Sequence, residues 1–324
     1  MTVHSLPSSD ISDSFDTSNA SGLPDSPCYL NGHYTPLKDA KISVMDRGFI
    51  FGDGVYEVVP AYAGRLFQFA QHMARLDRSL AALRIANPLH AEEWHSIASK
   101  LIAMSPGNTG ASGINYLDND ENNHLIYIQL SRGVAMRDHA MLPGLKPTLF
   151  MMCNPMKLPS KEQRANGVAC VTAADFRWEK AHIKSTSLLG SVFARQISVD
   201  AGALETIMFR GDYLSEAAAS NVWIVKNGML MGTPKNHLVL EGIRYGLIEE
   251  MCRAEGIPFE LRRISRAEVL DADEILLSSA TKEVLPVTML DGRPVGASAV
   301  AGKPGPIYDR LYAAYQQAKQ REQA

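Results

Sequence analysis

No stretch of this 324-residue sequence approaches the roughly 18–20 consecutive apolar residues that a membrane-spanning helix needs, so no membrane partner is expected. A basic excess is missing too. Lys and Arg number 32 against 35 Asp and Glu, for a formal charge of −3, which gives no reason to expect nucleic acid. Cysteine is scarce: Cys28, Cys153, Cys170 and Cys252 are scattered and lack the paired spacing of a metal centre. They read as reduced, partly buried thiols of a cytoplasmic protein, and no metal is expected. The first 27 residues contain neither lysine nor arginine, which leaves no basic start for a secretory signal and no arginine for a transit peptide. Eight serines and four aspartates stand there instead, so residues 1–27 are expected to form a disordered tail.

What remains has the composition of a soluble enzyme. Hydrophobic residues make up 46% and charged residues 21%, in a chain long enough for two packed units. Tyr29-Leu30-Asn31-Gly32 reads as a strand entering a hairpin, and Asn227-Gly228 and Asp291-Gly292 mark two more hairpins. Phe69, Met73, Leu76, Leu80 and Leu83 recur at helical spacing, which predicts an amphipathic helix over 67–84. Leu125 to Leu130 reads as a strand that feeds a polar loop from Ser131 to His139. Residues 105–124, rich in Gly, Asn and Asp, read as an exposed loop. Beyond a proline-bearing linker at 156–162, strands at 167–173, 205–210, 221–225 and 274–277 alternate with helices. One helix follows Lys184, one runs from near Gly242 to before Gly256, and a short one starts at Ser265 with Glu268 at capping-box spacing. The expected units are 28–155, small and α+β, and 163–324, larger.

The chemistry-bearing runs are Ile183-Lys184-Ser185 and Leu214-Ser215-Glu216-Ala217-Ala218-Ala219-Ser220-Asn221. Ahead of them lie Asp46-Arg47-Gly48-Phe49-Ile50-Phe51-Gly52-Asp53-Gly54-Val55-Tyr56-Glu57 and His72-Met73-Ala74-Arg75-Leu76. Behind them come Gly242-Ile243-Arg244 and Ser278-Ser279-Ala280-Thr281-Lys282-Glu283-Val284. Taken singly, each has a bland reading: Lys184 as a solvated helix-start lysine, Glu216 as a turn carboxylate, Arg75 as a surface arginine. Lys180 is the one competing lysine, in a stretch with no signature of its own. Gly52 and Gly54 are too short a pair for a nucleotide fingerprint and read as a turn. Asp46 and Arg47 are expected to pair with each other, and His72 to pack or hydrogen-bond.

In this order, from about Tyr29 to the C-terminus, the segments resemble the class IV (fold-type IV, branched-chain-aminotransferase-like) pyridoxal-phosphate enzymes. The resemblance implies a mixed α/β, two-domain fold with a barrel-like sheet in the larger unit, and pyridoxal 5'-phosphate as cofactor. It implies that Lys184 forms the internal aldimine and shuttles the proton, and that Glu216 contacts the ring nitrogen. A carboxylate there keeps the ring protonated and electron-poor, because an opposite charge favours the charged form. The resemblance implies that Ser220 and Asn221 also bind the cofactor. Arg75 resembles the family's phosphate arginine, and Ile243 with Arg244 and Ala280 with Thr281 match its two phosphate loops. The family commonly has a hydroxyl residue where Arg244 and Ala280 stand.

Within the family, Arg137 and His139 are similar to the Arg-x-His of D-amino-acid aminotransferases. With a tyrosine matching Tyr56, that pair traps the substrate carboxylate, reaching in from the neighbouring subunit of a homodimer. On an extended segment, residues i and i+2 project to one side, where an arginine can grip a carboxylate through two donors. An isolated Arg-x-His is more often a polar surface loop. The favoured function is transamination between a D-amino acid and a 2-oxo acid. Branched-chain L-aminotransferase and aminodeoxychorismate lyase stand as alternatives on the same cofactor, and a non-catalytic binding protein as one of another class.

Overall fold

The computed structural model describes residues 25–105, 123–296 and 301–323. The expected tail lies outside them up to residue 24, as does most of the loop expected over 105–124. Pro27 already belongs to the first strand.

The first half builds a six-stranded antiparallel sheet. Its elements are β1 (Pro27–Leu30), β2 (His33–Pro36), α1 (Arg47–Phe51), β3 (Gly54–Tyr62), β4 (Arg65–Leu66), α2 (Phe69–Ala82), α3 (Ala91–Met104), β5 (His124–Ser131) and β6 (Thr148–Pro155), with strand order β2-β1-β6-β5-β3-β4. The first hairpin turns at Asn31 and Gly32, both with positive φ, as a two-residue turn between twisted strands requires. Met73, Leu76 and Leu80 of α2 pack with Val55 and Val59 of β3, Trp94 and Leu101 of α3, and Ile126 and Ile128 of β5. The helical period predicted for 67–84 thus closes over the sheet.

The second half adds α4 (Lys161–Asn166), β7 (Val168–Ala174), α5 (Leu189–Asp200), β8 (Glu205–Arg210), β9 (Tyr213–Ala217), β10 (Asn221–Lys226), β11 (Met229–Gly232), α6 (Arg244–Glu255), β12 (Phe259–Leu261), α7 (Arg266–Leu270), β13 (Glu274–Ser279), β14 (Glu283–Leu290), β15 (Arg293–Pro294) and α8 (Pro306–Gln323). Its mixed sheet runs β12-β11-β10-β13-β14-β7-β8-β9, with β15 beside β14, and curls into a half-barrel. The fold is the mixed α/β arrangement of two sheets that the sequence predicts. Hairpins turn at Asn227-Gly228 and Asp291-Gly292, and α7 starts with the Ser265/Glu268 capping box. Helix α4 begins at Lys161, inside the segment expected to be a linker, because Ser160 and Gln163 form a capping box.

The halves meet over an apolar cluster. Tyr62 and Phe67 from the first pack with Tyr245 and Ile248 of α6 and with Leu311 and Tyr315 of α8.

Candidate active site

A cavity of about 1110 Å³ takes its walls from both halves of the chain. Alternation along β3 decides which of its side chains arrive there. Tyr56 and Val58 line the cavity, whereas Val55, Glu57 and Val59 turn to α2.

Lys184 reaches the cavity because its segment lies along the free leading edge of β3. Tyr56 N–H donates to the Lys184 carbonyl (3.0 Å) and Thr186 N–H to the Gly54 carbonyl (2.9 Å), with a bridge between Val55 and Ser185. Gly52 ends α1 in the left-handed conformation (φ 64°), which bears out a turn role. A Cβ there would stand 2.8 Å from Ser187 Oγ, so the glycine also lets this segment approach. Lys184 Nζ lies 4.0 Å from the centre of the Tyr56 ring. Lys180 is exposed and does not line the cavity.

Glu216 is buried at the end of β9 and opens on the same cavity. Arg177 Nη1 donates to its Oε1 (2.6 Å), and Asn221 Nδ2 and Leu240 N–H donate to Oε2 (both 3.1 Å). Arg177 is itself clamped by Asp175 through Nε (2.9 Å) and Nη2 (3.0 Å). Burial pushes the Glu216 carboxyl up to about 7, against the pull of Arg177 and the Leu240 amide. Asn221 therefore orients Glu216, while Ser220 Oγ donates to Glu205 (3.1 Å). Both line the cavity.

Arg75 is buried on α2 and gripped by the Glu57 carboxylate, Nε to Oε1 at 2.7 Å and Nη2 to Oε2 at 2.8 Å, while Nη1 donates to the Glu241 carbonyl. Three of the five N–H donors of its guanidinium are thereby used, and the rest stay available to an anion in the cavity. His72 Nδ1 meets Glu57 Oε2 at 2.7 Å, the hydrogen bond expected of it. Gly242, Ile243, Arg244, Ser279, Ala280 and Thr281 line the cavity too. No side chain caps the start of α6, so backbone donors remain there for an anion.

Arg137 and His139 do not line the cavity of their own chain. Both are exposed and both pack on the Phe51 ring, Arg137 Cζ 5.4 Å and the His139 ring 5.3 Å from its centre, so they do project to one side. Their loop is anchored by Asp53, which accepts from Arg132 Nε (2.7 Å) and Arg47 Nε (2.8 Å). The expected Asp46–Arg47 pair does not form. Asp46 is the N-cap of α1 and accepts from Gly48 N–H and Thr148 Oγ1, which turns its carboxylate away from Arg47.

Sequence reasoning assigned no role to Glu57, Arg177, Asp175, Asp53 or Arg132. Strand alternation was the available signal for Glu57, since it aims a carboxylate at a helix carrying His72 and Arg75. Among the described residues no group of three or more His, Cys, Asp or Glu is placed to hold a metal, and no helix is long and apolar enough to cross a membrane.

Two buried groups give opposing acid responses. Burial lowers His72 to about 4 from its ordinary 6.5, so its stabilising effect is present above pH 6.5 and lost as pH falls toward 4. Glu216 is raised, so its contribution is full below its ordinary 4.5 and lost as pH rises through 7. Each slope is worth roughly 3 kcal/mol at most and they largely cancel. Urea unfolding of cofactor-free His72→Asn between pH 4 and 7 should therefore show stability falling with rising pH more steeply than in the parent. A parallel profile would remove His72 from the account.

The sequence model of the family described as amino-transferase class IV matches residues 54–290. The chain is 34% identical to D-alanine aminotransferase of Bacillus licheniformis over 287 residues, 89% of this chain and 95% of that protein. It is 35% identical over 284 residues to D-alanine aminotransferase of Staphylococcus aureus (strain COL), 87% of this chain and 94% of that protein. Among solved structures, the branched-chain aminotransferase of Thermoproteus uzoniensis with norvaline superposes with a TM-score of 0.76 at 23% identity, covering 91% of this chain and 95% of that one. The branched-chain amino acid aminotransferase from Escherichia coli gives 0.73 at 22% identity, covering 90% and 93%. At such identities the structures speak for the fold.

Proposed function

Because the chain belongs to the class IV aminotransferases, we propose that it transfers an amino group from a D-amino acid to a 2-oxo acid, with pyridoxal 5'-phosphate held by Lys184. The observation that carries this reading is the shared cavity: one amine, Lys184, and one buried carboxylate, Glu216, open on it beside the uncapped start of α6 and the loop at 279–281. The chain is an aminotransferase, so a non-catalytic binding protein on the same fold is set aside.

The residues present fit the cofactor. The start of α6 and the spare donors of Arg75 suit its phosphate, Glu216 its ring nitrogen, and Ala217, Ala218 and Ala219 leave room along one side. When bound, the cofactor supplies an aldehyde carbon to take up the amine and a ring to store the electron pair left by the departing Cα proton. Lys184 Nζ would take that proton and pass it to the carbon that was the aldehyde, which leaves the amino group on the cofactor. Glu216, held anionic by Arg177 once a cation lies beside it, keeps the ring nitrogen protonated. Glu57 and His72 fix the angle of Arg75.

The hand of the substrate rests on the D-alanine aminotransferases among the relatives and on Tyr56, Arg137 and His139. Arg137 and His139 sit at the surface of one chain, so they act from a second copy, in a homodimer. An apolar rim supports that assembly. Phe49 (69% exposed), Leu189 (70%) and Val192 (60%) stand at the mouth of the cavity with Phe176 and Trp178, and such a patch is covered in a soluble protein. Four buried, unpaired cysteines favour a reducing compartment, the cytoplasm.

The test is an amino-donor panel in both enantiomers. D-alanine and D-glutamate should turn over, L-leucine and aminodeoxychorismate should not, and Arg137→Ala should raise KM for D-alanine by about tenfold or more, the loss of a bidentate carboxylate grip. Mixing Arg137→Ala and Lys184→Ala subunits should restore activity, since hybrids hold one intact site. Turnover of L-leucine alone would reverse the assignment of hand.

A further inference from the structure

Arg244 is a buried cation with no carboxylate. It is 1% exposed, and its Cζ lies 4.9 Å from the centre of the Phe67 ring and 5.3 Å from that of Tyr315. Among the described residues it forms no salt bridge, and Nε and Nη1 have no hydrogen-bond partner. Nη2 reaches the Ala280 carbonyl at 3.5 Å, at the limit of a hydrogen bond. Burying a charge with orphaned donors is costly, and chains keep such a group where something answers it.

The neighbouring cations are already answered. Arg75 is neutralised by Glu57, Arg177 by Asp175 and Glu216, and Lys282, just past the second loop, by Glu205. His72 carries no charge at neutral pH, because burial holds its imidazole neutral down to about 4. A dianion settling between 242–244 and 279–281 would therefore meet donors in plenty, yet one fully buried cation without a carboxylate, Arg244. Lys184, half-buried and taken up by the cofactor aldehyde in the reading above, and the exposed Arg195 also line the cavity without a salt bridge among the described residues. The two positions that depart from the family pattern, 244 and 280, are also the two that touch.

We propose that Arg244 is the counter-ion of the cofactor phosphate, one guanidinium standing in for the hydroxyl groups that this chain lacks at 244 and 280. The inference rests on the cofactor reading above and adds to it the source of the balancing charge. It also makes the cofactor-free protein carry a cost that the phosphate relieves.

The experiment titrates the full-length, cofactor-free protein with pyridoxal 5'-phosphate and, separately, with pyridoxal, which lacks the phosphate. Arg244→Met should bind pyridoxal 5'-phosphate on the order of a hundred-fold more weakly and pyridoxal unchanged. Its cofactor-free melting temperature should equal or exceed that of the parent, since an unanswered charge has gone. Arg244→Lys, or Arg244→Thr with Ala280→Thr, should recover part of the phosphate-dependent affinity. The proposal is overturned if Arg244→Met keeps its affinity for pyridoxal 5'-phosphate, if both ligands weaken equally, or if the cofactor-free variant melts lower while its affinity is unchanged. A parent protein that binds neither ligand would overturn the cofactor reading together with it.

Discussion

Lys184→Ala is expected to lower transamination by about 10⁴-fold or more, and added pyridoxal 5'-phosphate should bind without the visible absorption of a lysine-linked cofactor. The size follows from one amine serving both as the covalent anchor and as the proton carrier. Fold damage is not a competing explanation. The Lys184 side chain is half-buried and rests on the Tyr56 ring, while the segment is held through main-chain bonds that alanine retains. The variant should melt within a few degrees of the parent, and Lys180→Ala should leave both activity and absorption intact. An unaltered absorption band in Lys184→Ala would end the assignment of this lysine.

Glu216→Gln should come next, with kcat lowered about 10²–10³-fold, the usual cost of removing one preorganised charge from a water-poor site. Glutamine keeps the size, and its one oxygen can still accept from Asn221 and the Leu240 amide. Its NH2 replaces the acceptor that Arg177 Nη1 used, so the change removes the charge together with that ion pair. The pH response gives a second readout. In the cofactor-free protein the acid sits at about 7, so its own contribution to stability declines as pH rises from 4.5 through 7, and Glu216→Gln should remove that contribution. Because His72 tilts the parent profile the other way, the variant should become more stable with rising pH over the same range. A kcat within threefold of the parent, with no change in that tilt, would leave Glu216 without the role given to it.

Much of this site was legible in the sequence because its parts are local. The lysine, the glutamate and the two loops each lie in a short run, and Asn-Gly and Asp-Gly turns or a Ser/Glu capping box declare themselves within four residues. β-branched and aromatic content placed β5, and helical period α2, within a residue or two. The supporting charges were not legible for the opposite reason. Arg177 meets Glu216 across 39 positions and Arg132 meets Asp53 across 79, and nothing in either neighbourhood names its partner. Asp46 and Arg47 failed as a pair from the same cause: adjacency in sequence suggested a bond that cap geometry redirected. Arg244 could be read as unusual but not as buried, since burial there depends on Phe67 and Tyr315 arriving from opposite ends of the chain.

The stitch between residues 184–186 and the edge of β3 has a mechanical side. Lysine enters the sequence with the second sheet, yet its main chain is tied to the first, while Glu216 stays on the second. Any shear between the two halves therefore drags amine and acid apart together with whatever they grip. The tool is only as steady as its rivet, and that rivet is aromatic: the hydroxyls of Tyr62 and Tyr315 face each other at 3.4 Å where the halves join.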